Sequence, residues 1–595
     1  MLAQLMTPGS TMQRGQPKQN QISDACRIAR TYWSSEEKWS AWGLLFGVIG
    51  LNLTNVYVSI RINQWNKDFY NALQTFDKGE VFRQIGVFCI LAAGAATISV
   101  YALYLNQMLQ IRWRRWLTRK YVGDWLANRN YYRLQFITTT DNPDQRIAED
   151  VQQFVTYVMT FSVGLLTSSV SLISFLVILW GLSGSLDVPL GSWGTIQIPA
   201  YLVWAALLSA WVATWLTVRI GRPLIQLNFT RQRFEGDFRF SLAHLRQNAE
   251  SVALYGGEAV ELRLFQNRFR NVVQNFRQIM KQQRRLSWFT TGYAQLAIVI
   301  PLVLVSPRYF AQQLGLGGLM QVANAFAYVH NSLSFIINAY GDIANWQAVT
   351  QRLSGFEERL EDAHESAGTK RQIAFQRGDS GITVEDLSLD LPDGRSLVCG
   401  IKFNVDAGSS LLIRGPAGAG KSVLLRAIAG IWPFGSGQVR MGPGSSLFVP
   451  QLPYSPLGPL KSALLYPLCD EDRVSPERLM TVLASVGLGA LIDELESENW
   501  SQHLSQAEQQ QLAFARILLA QPVFLFLDDA TSALDDEAEA KLYGMLGSPT
   551  WRPTVISASY KTRLLHFHSQ VLDISAFYGR QNGHRKHTLE PELTH

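Results

Sequence analysis

Apolar residues follow two different rhythms along this chain. Before about residue 345 they gather in long, nearly uncharged runs, whereas from about residue 382 they form short segments separated by turn residues and amphipathic stretches. Six of the early runs, near 41–60, 85–106, 159–181, 198–218, 288–306 and 318–342, are long enough to cross about 30 Å of hydrocarbon, which takes about 20 helical residues. Backbone polar groups in hydrocarbon must be satisfied internally, so such runs predict transmembrane helices. The later rhythm predicts strands alternating with helices. The expected fold class is therefore an α-helical membrane domain of six transmembrane helices fused to an α/β domain. The expected boundaries are a polar tail over 1–37, the membrane domain over 38–350, a linker over 351–381, the α/β domain over 382–575 and a second tail over 576–595.

The polar connections give an orientation. The stretch after the second run carries Arg112, Arg114, Arg115, Arg119, Lys120, Arg129 and Arg133, and the stretch from Arg219 to Arg285 is similarly basic, whereas Ser183 to Gln197 has no Lys or Arg. The positive-inside rule then places both termini and the two long basic stretches in the cytoplasm, and their length predicts helices reaching towards the C-terminal domain. Residues 1–37 lack the apolar core of a secretory signal, so no cleaved signal is expected.

On the sixth run the polar residues share one face. At 100° per residue Gln321, Asn324, Asn331, Ser334 and Asn338 fall in a stripe about 140° wide, with Val322, Phe326, Val329, Leu333, Ile336 and Ile337 opposite. Two readings fit. The stripe lines a water-filled cavity for a hydrophilic or amphipathic cargo, or it hydrogen-bonds to neighbouring helices.

Composition changes this picture little. At 595 residues the chain has room for roughly three to four domain-sized units, and 17% charged against 47% apolar residues, with 17 Trp, suits a membrane protein. The net charge of +6 resides largely in the two basic stretches, which excludes a nucleic-acid reading. Four scattered cysteines, Cys26, Cys89, Cys399 and Cys469, show no metal-ligand spacing and read as ordinary thiols.

The candidate chemistry lies in the α/β half. Ser410–Arg414 reads as a strand, Gly415-Pro416-Ala417-Gly418-Ala419-Gly420-Lys421-Ser422 is G-x-x-x-x-G-K-S, and an apolar helix starts at Val423. In that context glycines let backbone N–H groups curl round phosphates, and the helix N-terminus adds partial positive charge. Lys421 would pair with the β and γ phosphates of ATP, and Ser422 with Mg²⁺. The apolar run Val523–Leu527 reads as a buried parallel strand ending in Asp528, a Mg²⁺ carboxylate, and Asp529, placed to orient an attacking water.

With these residues the chain resembles the ATP-binding-cassette transporters over nearly its whole length. Gln451 resembles the Q-loop glutamine, Leu504-Ser505-Gln506-Ala507-Glu508 the signature motif and Ser532-Ala533-Leu534-Asp535 the D-loop. The segments Asn142–Asp150, Glu235–Arg239, Leu254–Glu258 and Gly430–Pro433, with Pro450–Tyr454 around Gln451, resemble the subfamily D half-transporters of peroxisomes and lysosomes and the bacterial SbmA/BacA-like proteins with a fused ATPase. The resemblance implies an exporter-like helical fold with a P-loop nucleotide-binding domain. It also implies a homodimer, or a heterodimer with a related half-transporter, and a third Mg²⁺ contact from Gln451. Ser505, Ala507 and Glu508 would then close over the partner's ATP in trans. Family cargoes are fatty acyl-CoA, cobalamin, and hydrophilic peptides or antibiotics, and the polar sixth run favours the latter two.

Three positions depart from the family pattern. Ala507 replaces a glycine and Asp529 a glutamate, while Tyr560 in Ser557-Ala558-Ser559-Tyr560-Lys561 replaces the switch histidine. In addition, Leu389–Pro392 offers no aromatic ring for stacking on adenine. The expectation is ATP-dependent transport across a bacterial inner membrane with slow hydrolysis. The alternatives are an ATP-gated or ATP-sensing membrane protein with vestigial hydrolysis, or an exporter of lipid or fatty acyl cargo.

Overall fold

A computed structural model describes residues 21–137, 142–189, 195–369, 372–468, 474–498, 500, 504–548 and 551–577. Most of the N-terminal tail, nearly all of the C-terminal tail including His584–His595, and Cys469 lie outside the described residues, as do the side chains of Ile336, Ile337 and Asn338. The chain divides into two units. The first comprises Met1–Asp124 with Thr140–Glu358, and the second Trp125–Thr139 with Arg359–His595.

The first unit is helical. In chain order its elements are α1 Gln21–Trp33, α2 Lys38–Gln74 and α3 Lys78–Leu126; α4 Asn130–Ile137 follows but belongs to the second unit. Then come the short α5 Pro143–Gln145, α6 Val151–Ser183, a ribbon of β1 Ser185–Pro189 and β2 Thr195–Pro199, α7 Tyr201–Gln247, α8 Ala249–Tyr255, α9 Glu258–Phe310, α10 Leu316–Asn338 and α11 Tyr340–Thr369. Among the described residues five helical segments, Lys38–Gln74, Lys78–Phe136, Pro143–Ser183, Tyr201–Gln247 and Glu258–Phe310, are long and apolar enough to cross a bilayer, and they contain five of the six predicted runs almost in full. The sixth run forms α10, which is not one of those five segments and ends at Asn338, with Ala339 interrupting the helix before α11. At about 1.5 Å per residue, the 49, 47 and 53 residues of α3, α7 and α9 give helices more than twice as long as the hydrocarbon is thick.

α10 packs against α2, α6, α7 and α9. Its Val322, Ala325, Phe326 and Val329 are buried with Phe175, Leu179, Leu202, Val203 and Val305, and Tyr328 stacks on Phe175 of α6 with ring centroids 4.1 Å apart. The polar stripe divides. Gln321 is buried and its Nε2 donates to Gln64 Oε1 of α2 at 3.1 Å, so it joins helices. Asn324 and Ser334 are half-buried, and Asn331 is exposed.

Two buried carboxylates tie helices together. Asp150, 1% exposed, accepts from Arg146 Nη1 at 2.8 Å and from Arg352 Nε and Nη2 of α11 at 2.8 and 2.6 Å. Glu357 of α11 accepts from Arg27 of α1 at 2.7 Å and from Lys120 and Tyr121 of α3 at 3.3 and 3.0 Å. A carboxylate removed from water in this way is stable only while its partners remain.

The second unit holds two sheets. Its strands are β3 Gln372–Arg377, β4 Ile382–Asp390, β5 Ser396–Val405, β6 Ser410–Arg414, β7 Gly435–Met441, β8 Ser446–Val449, β9 Phe524–Asp528, β10 Thr554–Ala558 and β11 Gln570–Asp573. One sheet is parallel throughout, in the order β11-β6-β10-β9-β8, and the other, β3-β7-β4-β5, is mixed. Leu411–Ile413, Phe524–Leu527 and Val555–Ala558 are buried without alternation, the pattern of a sheet covered on both faces. The helices are α12 Lys421–Ile428, α13 Leu460–Leu465, α14 Pro476–Val486, α15 Gln506–Ala520 and α16 Asp536–Met545. Phe136 of α4 meets Trp432 and Phe434 edge to face at 5.3 and 5.6 Å, and Arg129 Nη1 donates to Ala429 O at 3.1 Å. The basic stretch that continues α3 therefore ends within the nucleotide unit.

Replacing Asp150 by Ala leaves Arg146 and Arg352 without their shared partner. The expected loss is about 3 kcal/mol, seen as a lower apparent melting temperature of the purified protein, with a smaller loss for Arg352→Ala because Arg146 still pairs.

Candidate functional site

The site begins where β6 ends. Gly415 and Gly420 have φ of +152° and +94°, and a Cβ at either would stand 2.5 Å from Ile574 Cγ2 or 2.8 Å from Leu397 Cδ2. Only glycine meets both constraints at low cost. Between them Pro416, Ala417 and Gly418 are exposed and Ala419 is buried, so the loop is anchored at its base and open at its crest. Lys421, the first residue of α12, is buried, and its Nζ donates to Gly415 O and Pro416 O at 2.9 and 3.1 Å. The ammonium thus lies across its own loop, beside the backbone N–H groups of a helix N-terminus.

The adjoining carboxylates come from β9. Ser422 Oγ donates to Asp528 Oδ1 at 2.8 Å. Burial raises the Asp528 carboxyl above the usual carboxylate range; the Ser422 hydrogen bond opposes this and the neighbouring Asp529 charge adds to it. Asp529 has φ of +45°, donates its N–H to Ala558 O at 2.9 Å, and has a buried Oδ1 with no partner among the described residues. Ser422 Oγ and the Asp528 carboxylate are hard ligands of the kind Mg²⁺ takes alongside phosphate oxygens and water, so this pair fits that ion.

The remaining sequence candidates are spread around this centre. Gln451, just beyond β8, is exposed, and its main-chain oxygen accepts from Gln510 Nε2 at 3.1 Å. Tyr560, after β10, is 61% exposed. Ser505 caps α15 in a reciprocal box: Glu508 N donates to Ser505 Oγ at 3.3 Å, while Ser505 N and Oγ donate to Glu508 Oε2 at 2.9 and 2.7 Å. The Glu508 carboxylate is thus engaged in its own helix start. Ala507 is half-buried and packs against the hydrophobic core around α14 and α15, which absorbs part of its methyl.

Two groups of contacts were not expected from the sequence, although Ser557 and Lys561 lie in the segment around Tyr560. Gln510 and Lys561 bond to the loop after β9, and Tyr543, Ser557 and His568 form a buried chain under β10. Ser557 and Ser559, polar residues around a buried strand, were the available signal for the second.

A nucleoside triphosphate is the ligand that this loop and carboxylate pair suit, and the helical unit ahead of them makes the class a membrane protein with a P-loop ATPase. The comparisons agree: a family profile described as "ABC transporter transmembrane region 2" matches residues 28–310, and one described as "ABC transporter" matches 398–532. An uncharacterised ABC transporter ATP-binding protein of Haemophilus influenzae is 36% identical over 88% of this chain and 87% of its own length. The lysosomal cobalamin transporter ABCD4 of Homo sapiens is 27% identical over 91% and 92%. A bacterial Atm1-family ABC exporter solved with ATP bound superposes with a TM-score of 0.66 at 16% identity, over 89% of this chain and 93% of that one. The chain belongs to the ATP-binding-cassette transporter family and is a half-transporter, one membrane region with one nucleotide-binding domain.

The buried chain under β10 gives a pH dependence. His568 Nδ1 lies 2.7 Å from Leu564 O, which accepts from it, so Nε2 accepts from Ser557 Oγ at 2.8 Å, and Tyr543 OH donates to the same hydroxyl at 3.2 Å. Burial lowers the imidazole below its ordinary value of about 6.5, the Leu564 carbonyl opposing. A depressed value stabilises the fold above the unfolded pKa, and that contribution is lost as pH falls from about 6.5 towards the folded value. Melting curves across pH 5 to 8 should show this loss in the wild type and a shallower dependence in His568→Leu; an unchanged slope would refute the assignment.

Proposed function

We propose that the protein is half of a dimeric, ATP-driven transporter of the bacterial inner membrane, with both termini cytoplasmic, carrying a hydrophilic or amphipathic solute such as cobalamin or a peptide. The observation that carries the ATPase part is the bond between Ser422 and Asp528, which brings the glycine loop and the β9 carboxylates to one point. Lys421 leaves its loop carbonyls to pair with the β and γ phosphates, and the α12 N-terminus holds the same charge. Ser422, Asp528 and Gln451 would hold Mg²⁺, which would neutralise charge on the phosphate oxygens. Asp529 orients the attacking water, and Tyr560 donates a hydrogen bond to the terminal phosphate. Ser505 and Ala507 of a second copy, or of a related half, close the site, with Glu508 holding Ser505 in place.

The cargo reading rests on the exposed Asn331 and the half-buried Asn324 and Ser334, and on the cargo named for the human relative. Hydrolysis is slow in this scheme. Aspartate holds its carboxylate about 1 to 1.5 Å further back than glutamate, a misplacement that can cost about 100-fold in rate.

A second reading, ATP-gated with vestigial hydrolysis, is favoured by the free buried oxygen of that short carboxylate. Phosphate release from protein in lipid nanodiscs decides between them. The wild type should exceed Lys421→Ala, and Asp529→Glu should exceed the wild type by about 10- to 100-fold; a wild type no faster than Lys421→Ala removes the hydrolysis-driven reading for the homodimer. Proteoliposomes given ATP should accumulate or release labelled cobalamin, and flux unaffected by ATP removes that cargo.

A further inference from the structure

The chain leaves β9 through Asp529 and Ala530 and enters the arc Thr531–Leu534 before α16. Each residue of this arc is held by a side chain from elsewhere in the nucleotide unit. Gln510 of α15, 0% exposed, donates from Nε2 to Ser532 Oγ at 3.0 Å and accepts at Oε1 from Ala533 N at 2.9 Å. From the other side Lys561 donates from Nζ to Thr531 O and Leu534 O at 2.8 and 3.2 Å. Lys561 is itself fixed by Glu539 Oε1 of α16 at 3.1 Å, a 2% exposed carboxylate that also accepts from Thr531 Oγ1 at 2.5 Å. The arc is bonded back to the catalytic strand, because Ser532 N donates to Asp529 O at 3.0 Å.

Gln510 has one further bond: the same Nε2 donates to the main-chain oxygen of Gln451 at 3.1 Å. One rigid, buried amide therefore binds the loop carrying Gln451, the start of the signature helix, and the arc attached to Asp529. If Gln451 moves, the amide either turns, displacing Ser532 and Ala533, or loses a buried bond at a cost of about 1–3 kcal/mol.

We infer that Gln510 is a positioning residue that transmits the main-chain position of Gln451 to the arc Thr531–Leu534 and so to Asp529, with Lys561 as the fixed anchor on the far side of the arc. The inference rests on the reading above, in which Gln451 faces bound Mg·ATP. Nucleotide bound against Gln451 then sets the carboxylate that orients water and the arc that leads to Asp535, in one step within a single chain.

The test uses the full-length chain in lipid nanodiscs as wild type, Gln510→Leu, Gln510→Glu and Lys561→Arg, each with a melting curve. Gln510→Glu keeps the volume and the acceptor for Ala533 N–H but loses both donor bonds. Amide hydrogen exchange with and without Mg·ATP should change at both the Gln451 loop and the arc in the wild type. In the Gln510 variants the response at Gln451 should persist and that of the arc should vanish. The kcat for phosphate release should fall about 10- to 100-fold with KM within about twofold. Lys561→Arg, which preserves a cation facing two carbonyls, should keep both responses. An arc that still responds in Gln510→Glu, or a KM that rises with kcat unchanged, overturns the inference. The exchange comparison needs only nucleotide binding, so it decides this point even if the wild type proves no faster than Lys421→Ala.

Discussion

The parallel register of β6, β10 and β9 is the constraint on which the nucleotide unit depends. Ala558 at the end of β10 pairs with Ile413 of β6 on one side and Asp528 of β9 on the other, so the glycine loop and the paired carboxylates leave the sheet at the same level. Parallel strands emit their C-terminal ends on one edge, which is where ligands collect in open α/β sheets. Ser422 then needs only the first turn of α12 to reach Asp528. A slip of one residue in either pairing would turn the alternating side chains of that strand to the opposite face, separating the two halves of the site.

Buried polar ties play the corresponding part in the helical unit. Lipid supplies little hydrophobic drive for helices to associate, so close packing and hydrogen bonds between them set the arrangement. Gln321 to Gln64 is such a tie between α10 and α2. Asp150 and Glu357 make stronger ones, joining α11 to α1, α3 and the start of α6. Because α11 runs on into the nucleotide unit, these two carboxylates lie on one covalent route out of the helical unit; the chain through α3 to Phe136 is another.

Local patterns were legible in the sequence to the extent that they were local. Gly415 to Ser422 carries its own backbone geometry, and the uninterrupted apolar run before Asp528 announces a buried strand, so the centre of the site could be drawn before the fold was known. The five strongest apolar runs likewise announce helices, whereas the break at Ala339 lies inside the sixth apolar run, where Asn338 and Gly341 were the available stop signals. Gln510 was illegible for a different reason: a glutamine in a helix reads as an exposed helix former, and only its tertiary bonds to Gln451, Ser532 and Ala533 mark it as a buried tie. The signature segment shows the opposite error. Ser505-Gln506-Ala507-Glu508 is the S-x-x-E pattern of a capping box, so a local role for Glu508 was there to read beside its expected role towards the partner's ATP.

Asp529 brings backbone and chemistry into conflict. Its φ of +45° places it in the left-handed region, held there by its bond to Ala558 O, and aspartate is among the few non-glycine residues that visit this region routinely because its short polar side chain can bond locally. Here it makes no such bond with Oδ1, which is buried and free among the described residues. A buried acceptor left so costs about 1–3 kcal/mol, which the local backbone has no means of recovering. Aspartate suits this left-handed conformation better than the longer glutamate would, because its short side chain tolerates the region, so the backbone at the end of β9 and the reach asked of a water-orienting carboxylate in the proposed function favour different residues.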